Sequence, residues 1–167
     1  MEYGKLNCVT FRWIIFFFEI KKHAIIASMN NDKLKIIGAM LYCCEGTKAR
    51  IDKRYNRLNY AIELTNTDYK IINIFSEFLR VVIKPDWKRV KGQLFYYPDQ
   101  DKNELIEYWS EKSGVPINQF HQCILMKSNP RFKPNKYGTF KIRYFCKEDY
   151  LKLQGIIDSI WRDAGVV

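Results

Sequence analysis

Apolar positions along this chain recur with two different periods, and the changes of period divide it into predicted elements. A spacing of three or four residues, which is typical of a helix, is found in four stretches. They are Asn31 to Cys44, a stretch from Asp68 to just before Pro85, a stretch from Asp99 or Asp101 to Gly114, and Lys147 to Arg162. Polar capping residues at the starts of several stretches support these boundaries.

Strict alternation of apolar and polar residues predicts the strands. It is found in Leu58 to Leu64 and Arg89 to Tyr97. His121 to Ser128 and Gly138 to Cys146 are predicted as further strands, and a short strand is expected within 47–57. The predicted order is helix, strand, strand, helix, strand, helix, strand, strand, helix, which indicates an α+β fold with mostly antiparallel strands. A chain of 167 residues suits one domain. We therefore expect a domain over 31–167 that follows an N-terminal extension over 1–30.

The first predicted helix is small or apolar on every side, which is typical of a helix buried all round. One stripe consists of Leu34, Ile37, Leu41 and Cys44, and the other side consists of Gly38, Ala39, Tyr42 and Cys43. Gly46 follows the helix, and we expect it to end the helix in the left-handed conformation.

The charge balance points to a polyanionic partner. There are 28 Lys and Arg residues against 18 Asp and Glu, a net charge of +10, in a chain of which 47% is hydrophobic. A folded domain this basic usually meets nucleic acid or another polyanion. The alternative is a basic surface that serves only solubility.

The cysteines and the apolar N-terminal run bear on the location of the protein. The five cysteines are odd in number and form no CxxC pair, which favours reduced, buried thiols in a cytoplasmic protein. They are Cys8, Cys43, Cys44, Cys123 and Cys146. His121 and Cys123 alone are too few ligands to predict a zinc site. Charged residues interrupt the apolar run over 9–26 before it reaches the ~20 residues that span a bilayer, so no membrane span or signal peptide is expected.

One segment carries a known motif. Gly38-Ala39-Met40-Leu41-Tyr42-Cys43-Cys44-Glu45-Gly46 resembles the LAGLIDADG motif of homing endonucleases. Ala61 to Asp68, ahead of a predicted helix, resembles the second strand and second helix of that family. Tyr108 to Pro116 and Gly138 to Tyr144 resemble its bacterial and archaeal branch. The resemblance spans roughly residues 33–162, and it implies a curved antiparallel sheet with helices packed on one face.

The resemblance also implies a homodimer, because the family pairs two motif helices and this chain carries one. Close approach of two helices needs small residues at the contact. We expect the contact at Gly38, Ala39, Tyr42, Cys43 and Gly46. Met40 stands at the third motif position, where Gly is usual, and shifts the expected crossing point.

Glu45 occupies the motif position at which the family has its metal-binding acidic residue. A carboxylate at a helix C-terminus opposes the macrodipole at a cost of up to about 1 kcal/mol, and a second copy across a twofold axis adds repulsion. A shared Mg²⁺ or Mn²⁺ removes both penalties and activates water for phosphodiester hydrolysis. The family also uses a basic catalytic residue, for which Lys127 and Lys141 are the candidates. The alternative for Glu45 is a solvent-facing Glu or one held by a nearby Lys.

The predicted strands present basic and polar side chains on one face. These outward residues are Arg57, Asn59, Glu63, Arg89, Lys91, Gln93, Lys141 and Arg143. The resemblance implies that this face lies in the major groove of double-stranded DNA, where Arg, Lys, Asn and Gln read base edges. Phosphate contacts are expected from Lys48, Arg131, Lys133 and Lys136, and Arg50 is a further expected contact with DNA. For any single residue the alternative is a solvated charged surface.

Together these features predict a homodimeric, divalent-metal-dependent, site-specific DNA endonuclease. Two alternatives are compatible with the same residues. One is a DNA-binding regulator that kept the fold and lost cleavage, which Met40 and Cys43 support because they replace the usual Gly and Asp. The other is an RNA-binding or splicing-assisting protein, since a basic aromatic surface also suits RNA.

Overall fold

The described part of the chain combines four α-helices with two small β-sheets, which confirms the predicted α+β class. The structure is a computed structural model, and it describes residues 30–54, 56–127 and 135–166. The extension predicted over 1–30 lies outside these residues apart from Asn30. From Asn31 onward the chain forms one compact unit.

The helices begin and end close to the predicted residues. They are α1 (Asn31–Glu45), α2 (Tyr69–Phe78), α3 (Lys102–Ser113) and α4 (Lys147–Asp163), and a π-helical turn (Leu79–Ile83) prolongs α2. The Asp68 side chain accepts a hydrogen bond from the N–H of Lys70, and Asp101 accepts from two N–H groups of α3, so both caps form as predicted. Gly114 ends α3 with φ 65°, a left-handed conformation that glycine adopts without strain. Among the described residues, no helix combines the length and apolar character required to cross a membrane.

The strands form two sheets. The smaller sheet joins β1 (Arg50–Asp52) to β2 (Arg57–Asn59) in antiparallel fashion. The larger sheet contains β3 (Ala61–Asn66), β4 (Lys91–Tyr96), β5 (Ile124–Leu125) and β6 (Thr139–Phe145) in the order β3-β6-β4-β5. Strand β6 pairs antiparallel with β3 and β4, whereas β5 pairs parallel with β4.

Two strand predictions need correction. The strand predicted over 58–64 is interrupted at Tyr60, whose ring packs edge-on against Tyr150 of α4 with 5.7 Å between ring centroids. The strand predicted over 121–128 is reduced to Ile124–Leu125, and it runs parallel to β4. The parallel direction follows from α3, because a helix that connects two neighbouring strands returns the chain to the end at which the first strand began.

Strand β6, which has a neighbour on each side, separates the core from the opposite face of the sheet. Its Phe140, Ile142 and Tyr144 are buried, while the side chains between them stay partly exposed. Phe140 stacks on Trp109 of α3 with 5.0 Å between ring centroids. The Tyr144 hydroxyl donates a hydrogen bond of 2.6 Å to Asp149 of α4. Helices α3 and α4 therefore cover the face that carries the apolar side chains of β6.

One side of α1 packs closely against its own chain. Gly38 lies so near the Phe78 ring that a Cβ atom there would be 2.0 Å from Cγ of that ring. Ala39 and Tyr42 are also buried. Gly46 does not adopt the left-handed conformation that the sequence predicted. A glycine is needed there because a Cβ atom would lie 2.4 Å from Cδ2 of the Tyr42 ring.

The other side of α1 is exposed, so the helix is not buried all round as predicted. Ile36 and Ile37 have 48% and 39% of their surface exposed, and Cys44 is exposed as well. The prediction of buried cysteines is also wrong. The four cysteines within the described residues are free thiols, and each is at least partly exposed. Cys8 lies outside the described residues.

We expect Gly38→Ala to lower the free energy of unfolding by about 1–3 kcal/mol, because the added methyl group overlaps the Phe78 ring in a packed core. Gly155→Ala is the matched control, since Gly155 also lies in a helix but has nothing within 4 Å of an added Cβ. It should raise the free energy of unfolding by about 0.5–1 kcal/mol. Chemical denaturation measures both changes. A Gly38→Ala variant as stable as the parent would contradict the packing of α1.

Candidate nucleic-acid interface

Side chains of three adjacent strands line the face of the sheet opposite α3 and α4, which we call the polar sheet face. It consists of Glu63 and Thr65 of β3, Lys91, Gln93 and Phe95 of β4, and Thr139, Lys141, Arg143 and Phe145 of β6. These residues share a face because side chains alternate along each strand. Arg143 pairs with Glu63 on β3 and with Lys91 on β4, and Lys141 pairs with Gln93. The structure thus brings Lys91, Lys141 and Arg143 together.

A buried carboxylate lies among these cations. The Glu63 side chain is 9% exposed, and its two oxygens lie 3.0 Å from Nη2 of Arg143 and 3.8 Å from Nζ of Lys141. The carboxylate therefore compensates part of the positive charge of both side chains. Because Glu63 is buried, removing either cation would leave a poorly solvated negative charge behind.

Aromatic rings lie beside the same cations. Cζ of Arg143 is 4.9 Å from the centre of the Phe145 ring, and Nζ of Lys141 is 5.6 Å from the centre of the Phe95 ring. Phe145 is 40% exposed. Cation–π attraction adds to the ion pairs in fixing where the cations lie. The polar sheet face therefore combines positive charge, hydrogen-bond donors and flat apolar surface, all of which nucleic acids contact.

Two residues predicted to contact DNA are engaged within the chain instead. Gln93 is buried, and its side-chain N–H donates to the carbonyl oxygen of Gln122 at 3.1 Å, which ties the segment before β5 to β4. The Lys48 ammonium donates to the carbonyl oxygens of Tyr42 at 3.1 Å and Cys43 at 2.5 Å. It satisfies carbonyl groups at the end of α1 and opposes the negative end of the helix dipole. Both side chains thus make structural contacts within the chain, and their contacts with DNA stay predictions.

The predicted contacts nearest to β3 and β4 do not lie on the strands that form the polar sheet face. Arg50 and Asn59 are exposed on the two-stranded sheet rather than on β3, because the strand is interrupted at Tyr60. Arg89 lies in a 3₁₀ turn before β4, where it donates to the carbonyl oxygen of Phe145 at 2.7 Å. The side chain of Arg57 lies outside the described part of the structure.

The predicted contacts that follow β5 are only partly described. Lys127 is exposed just after β5, and Lys136 is exposed in a turn before β6. The Lys136 ammonium lies 5.2 Å from the centre of the Tyr137 ring. Arg131 and Lys133 lie outside the described residues. Of the two candidates for a basic catalytic residue, Lys141 is therefore the one on the polar sheet face.

Glu45 is the last residue of α1, and it is exposed. Within the described residues its carboxylate makes no hydrogen bond or ion pair, and the nearby Lys48 is bound to helix carbonyls instead. No group of three His, Cys, Asp or Glu side chains able to hold a metal is found there either. Glu45 supplies a hard oxygen ligand of the kind that Mg²⁺ prefers, but one carboxylate cannot complete a site. The further ligands would have to come from outside this chain's described residues.

The residues that follow α1 bond to β3, the strand that carries Glu63. Gly46 forms a β-bridge with Leu64, and the N–H of Thr47 donates to the carbonyl oxygen of Glu63 at 2.9 Å. Burial raises the pKa of the Tyr42 hydroxyl, and the charges of Tyr150 and Glu63 raise it further. The hydroxyl therefore stays protonated and donates to the carbonyl oxygens of Thr47 and Ala61 at 2.8 and 3.2 Å.

The predicted dimer contact needs correction at three of its five residues. Gly38, Ala39 and Tyr42 are buried within their own chain, whereas Cys43 and Gly46 stay partly exposed. The small residues of α1 do admit a close neighbour, but the neighbours are the Phe78 and Tyr42 rings of the same chain. The exposed side of α1 instead carries Ile36, Ile37, Met40, Cys43 and Cys44.

Sequence reasoning missed the position of Glu63 between two cations. It placed Glu63 on the outward face of a strand but gave it no partner. The available signal was the alternation itself, because basic residues at outward positions of another strand can pair with a carboxylate across the sheet. The register that makes Arg143 the partner could not be read from the sequence.

Comparisons of this chain with protein-family models, with curated proteins and with solved structures found no match. The resemblance to the LAGLIDADG motif therefore remains a prediction from the sequence. An inference about function depends on the polar sheet face, on Glu45 and on the exposed side of α1.

Proposed function

We propose that this chain binds double-stranded DNA through the polar sheet face. The observation that carries the proposal is the cluster of Lys91, Lys141 and Arg143, which β4 and β6 place side by side on one face. The helices occupy the opposite face, so the cationic side chains can meet a partner without disturbing the core. The net charge of +10 supplies the long-range attraction to a polyanion.

A sheet with donors spaced along neighbouring strands suits the major groove. Arg and Lys side chains there donate to guanine O6 and N7. Exposed cations elsewhere on the chain, such as Arg50 and Lys136, contact phosphates and fix the orientation of the protein. Duplex DNA is therefore the favoured partner, and RNA is an outcome that the binding test distinguishes.

The protein acts as a homodimer that forms through the exposed side of α1. Ile36 and Ile37 are exposed to 48% and 39% on adjacent positions of the helix, beside Met40 and Cys44. A twofold contact between two copies of this side buries apolar surface that a single copy leaves in water. With the two helices in parallel, the contact also brings their C-terminal ends near each other, where each carries Glu45.

The dimer is a divalent-metal-dependent, site-specific DNA endonuclease. Glu45 would hold Mg²⁺ or Mn²⁺ together with its counterpart in the second copy and with phosphate oxygens of the DNA. When bound, the cation activates water and stabilises the leaving oxygen in phosphodiester hydrolysis. Lys141 lies on the polar sheet face and is the candidate there for the basic catalytic residue.

The second candidate function is a DNA-binding regulator without cleavage activity. One observation favours it, since within the described residues Glu45 has no second metal-ligating group beside it. This alternative keeps the polar sheet face and the dimer but assigns no metal to Glu45.

DNA binding should weaken when Lys91 and Lys141 are both replaced by Gln. Each phosphate contact that is lost reduces the slope of log Kobs against log salt by about 0.9, so we expect a reduction of about 1–2 for the pair. The measurement is fluorescence anisotropy with a random-sequence duplex over a range of salt concentrations.

The control for this prediction is the pair Lys70→Gln and Lys102→Gln, which makes the same change of charge at exposed positions of the helices. Equal losses from the two pairs would mean that the polar sheet face is not the binding surface. Tighter binding to RNA than to duplex DNA of the same sequence would favour the RNA-binding alternative.

Ile37→Lys should convert the dimer into monomers, because it places a charge within the apolar contact. Light scattering after size-exclusion chromatography measures the mass in solution. Leu151→Lys is the matched control, since Leu151 is 52% exposed on α4 and should leave the mass unchanged. A parent chain that is monomeric at micromolar concentration contradicts the proposed dimer.

Glu45→Gln should abolish metal-dependent cleavage and preserve DNA binding, because the amide is nearly isosteric but lacks the charge that binds the cation. Without metal, the variant should be as stable as the parent or up to about 1 kcal/mol more stable, since a carboxylate at a helix C-terminus opposes the dipole. Nicking of a randomised duplex pool with Mg²⁺ or Mn²⁺, beside a thermal melt without metal, measures both effects. A parent chain that never cuts supports the non-catalytic regulator.

A further inference from the structure

Glu63 carries a negative charge into a surface that is otherwise positive. The charged residues of the polar sheet face are Lys91, Lys141, Arg143 and Glu63. A carboxylate at this position lowers the local positive potential and weakens the attraction for phosphate. If the face served only to attract a polyanion, a neutral side chain would serve better. The burial of Glu63 and its two ion pairs indicate a specific role.

Glu63 fixes Arg143 more firmly than it fixes Lys141. Its Oε1 is 3.0 Å from Nη2 of Arg143, which is a hydrogen-bond distance, whereas its Oε2 is 3.8 Å from Nζ of Lys141. Nε of Arg143 is buried and has no hydrogen-bond partner among the described residues. Among the described residues, the Arg143 guanidinium is oriented by its ion pair with Glu63 and by its contact with the Phe145 ring.

Holding an arginine in one orientation affects its contacts with a base and with a phosphate differently. Recognition of guanine requires two parallel hydrogen bonds, so it gains from a guanidinium whose direction is fixed in advance. A contact with phosphate requires mainly a nearby positive charge, which Glu63 partly neutralises. The same carboxylate thus favours contacts to a base edge and disfavours contacts to the backbone.

We propose that Glu63 is a positioning residue that sets the specificity of the polar sheet face. It holds Arg143 ready for a base edge, and it limits binding to DNA of unrelated sequence by neutralising part of the charge of Arg143 and Lys141. This role rests on the proposed function, because it requires that the polar sheet face binds duplex DNA.

The test compares the parent chain, Glu63→Gln and Glu107→Gln in binding to a random-sequence duplex over a series of salt concentrations. Glu107 is exposed on α3, so its substitution makes the same change of charge away from the polar sheet face. Glu63→Gln should bind the random duplex several-fold more tightly at low salt. The slope of log Kobs against log salt should steepen by about 0.9 for each further phosphate that is neutralised. Glu107→Gln should leave both quantities unchanged.

A conservative variant separates this role from a structural one. Glu63→Asp keeps the charge and should retain the slope of the parent, whereas a purely structural ion pair would change the melting temperature of either variant and leave both slopes as they are. If Glu63→Gln does not fold, Lys141→Gln and Lys91→Gln test whether Glu63 compensates the charge of Lys141. Lys141→Gln should then reduce the slope less than Lys91→Gln, because Glu63 already compensates Lys141.

The outcomes distinguish the role of Glu63 from the proposed function. A parent chain that binds no duplex at low salt overturns the proposed function and the role of Glu63 with it. A parent chain that binds DNA, with equal slopes for Glu63→Gln and Glu107→Gln, overturns the role of Glu63 alone.

Discussion

The alternation of side chains along β6 is the constraint on which the core and the polar sheet face both depend. Phe140, Ile142 and Tyr144 are buried under the helices, and Lys141 and Arg143 lie between them on the opposite face. A shift of one residue in the pairing of β6 would exchange the two sets and bury two charges against α3 and α4. The burial of the apolar set therefore also determines that the cations gather on one surface.

Contacts around the connection between α1 and β3 fix the position of the C-terminal end of α1. Tyr42 is buried, stacks near Phe75 with 6.5 Å between ring centroids, and bonds through its hydroxyl to carbonyl groups on both sides of the connection. Gly46 lets the chain pass close to the Tyr42 ring, and Lys48 binds the last carbonyls of the helix. These contacts determine where Glu45 lies, and the Glu45 side chain takes no part in them. A substitution of that carboxylate changes its chemistry with little effect on packing.

Sequence reasoning succeeded where the signal is local and failed where a distant partner decides. Helix caps and the sides of a strand depend on neighbours within a few residues. Apart from the left-handed conformation expected at Gly46, these predictions agree with the structure. They include Asp68, Asp101, Gly114, Lys141 and Arg143. The errors involve contacts between residues far apart in the chain, which no local pattern encodes. They are the packing of Gly38 on Phe78, the bond of Gln93 to Gln122, the contact of Tyr60 with Tyr150 and the parallel direction of β5.

Two carboxylates on this side of the molecule have opposite surroundings, and the contrast is informative. Glu63 is buried and paired with two cations, so the protein itself provides the countercharge. Glu45 is exposed at the negative end of a helix dipole, and the described residues provide none. The Thr47 N–H bonds to the Glu63 carbonyl, so the backbones that carry the two residues are joined. Lys48, three residues from Glu45, binds carbonyl groups at the end of α1 rather than the Glu45 carboxylate. The described residues therefore leave the charge of Glu45 without a countercharge, which supports the proposal that Glu45 rather than Glu63 binds the metal.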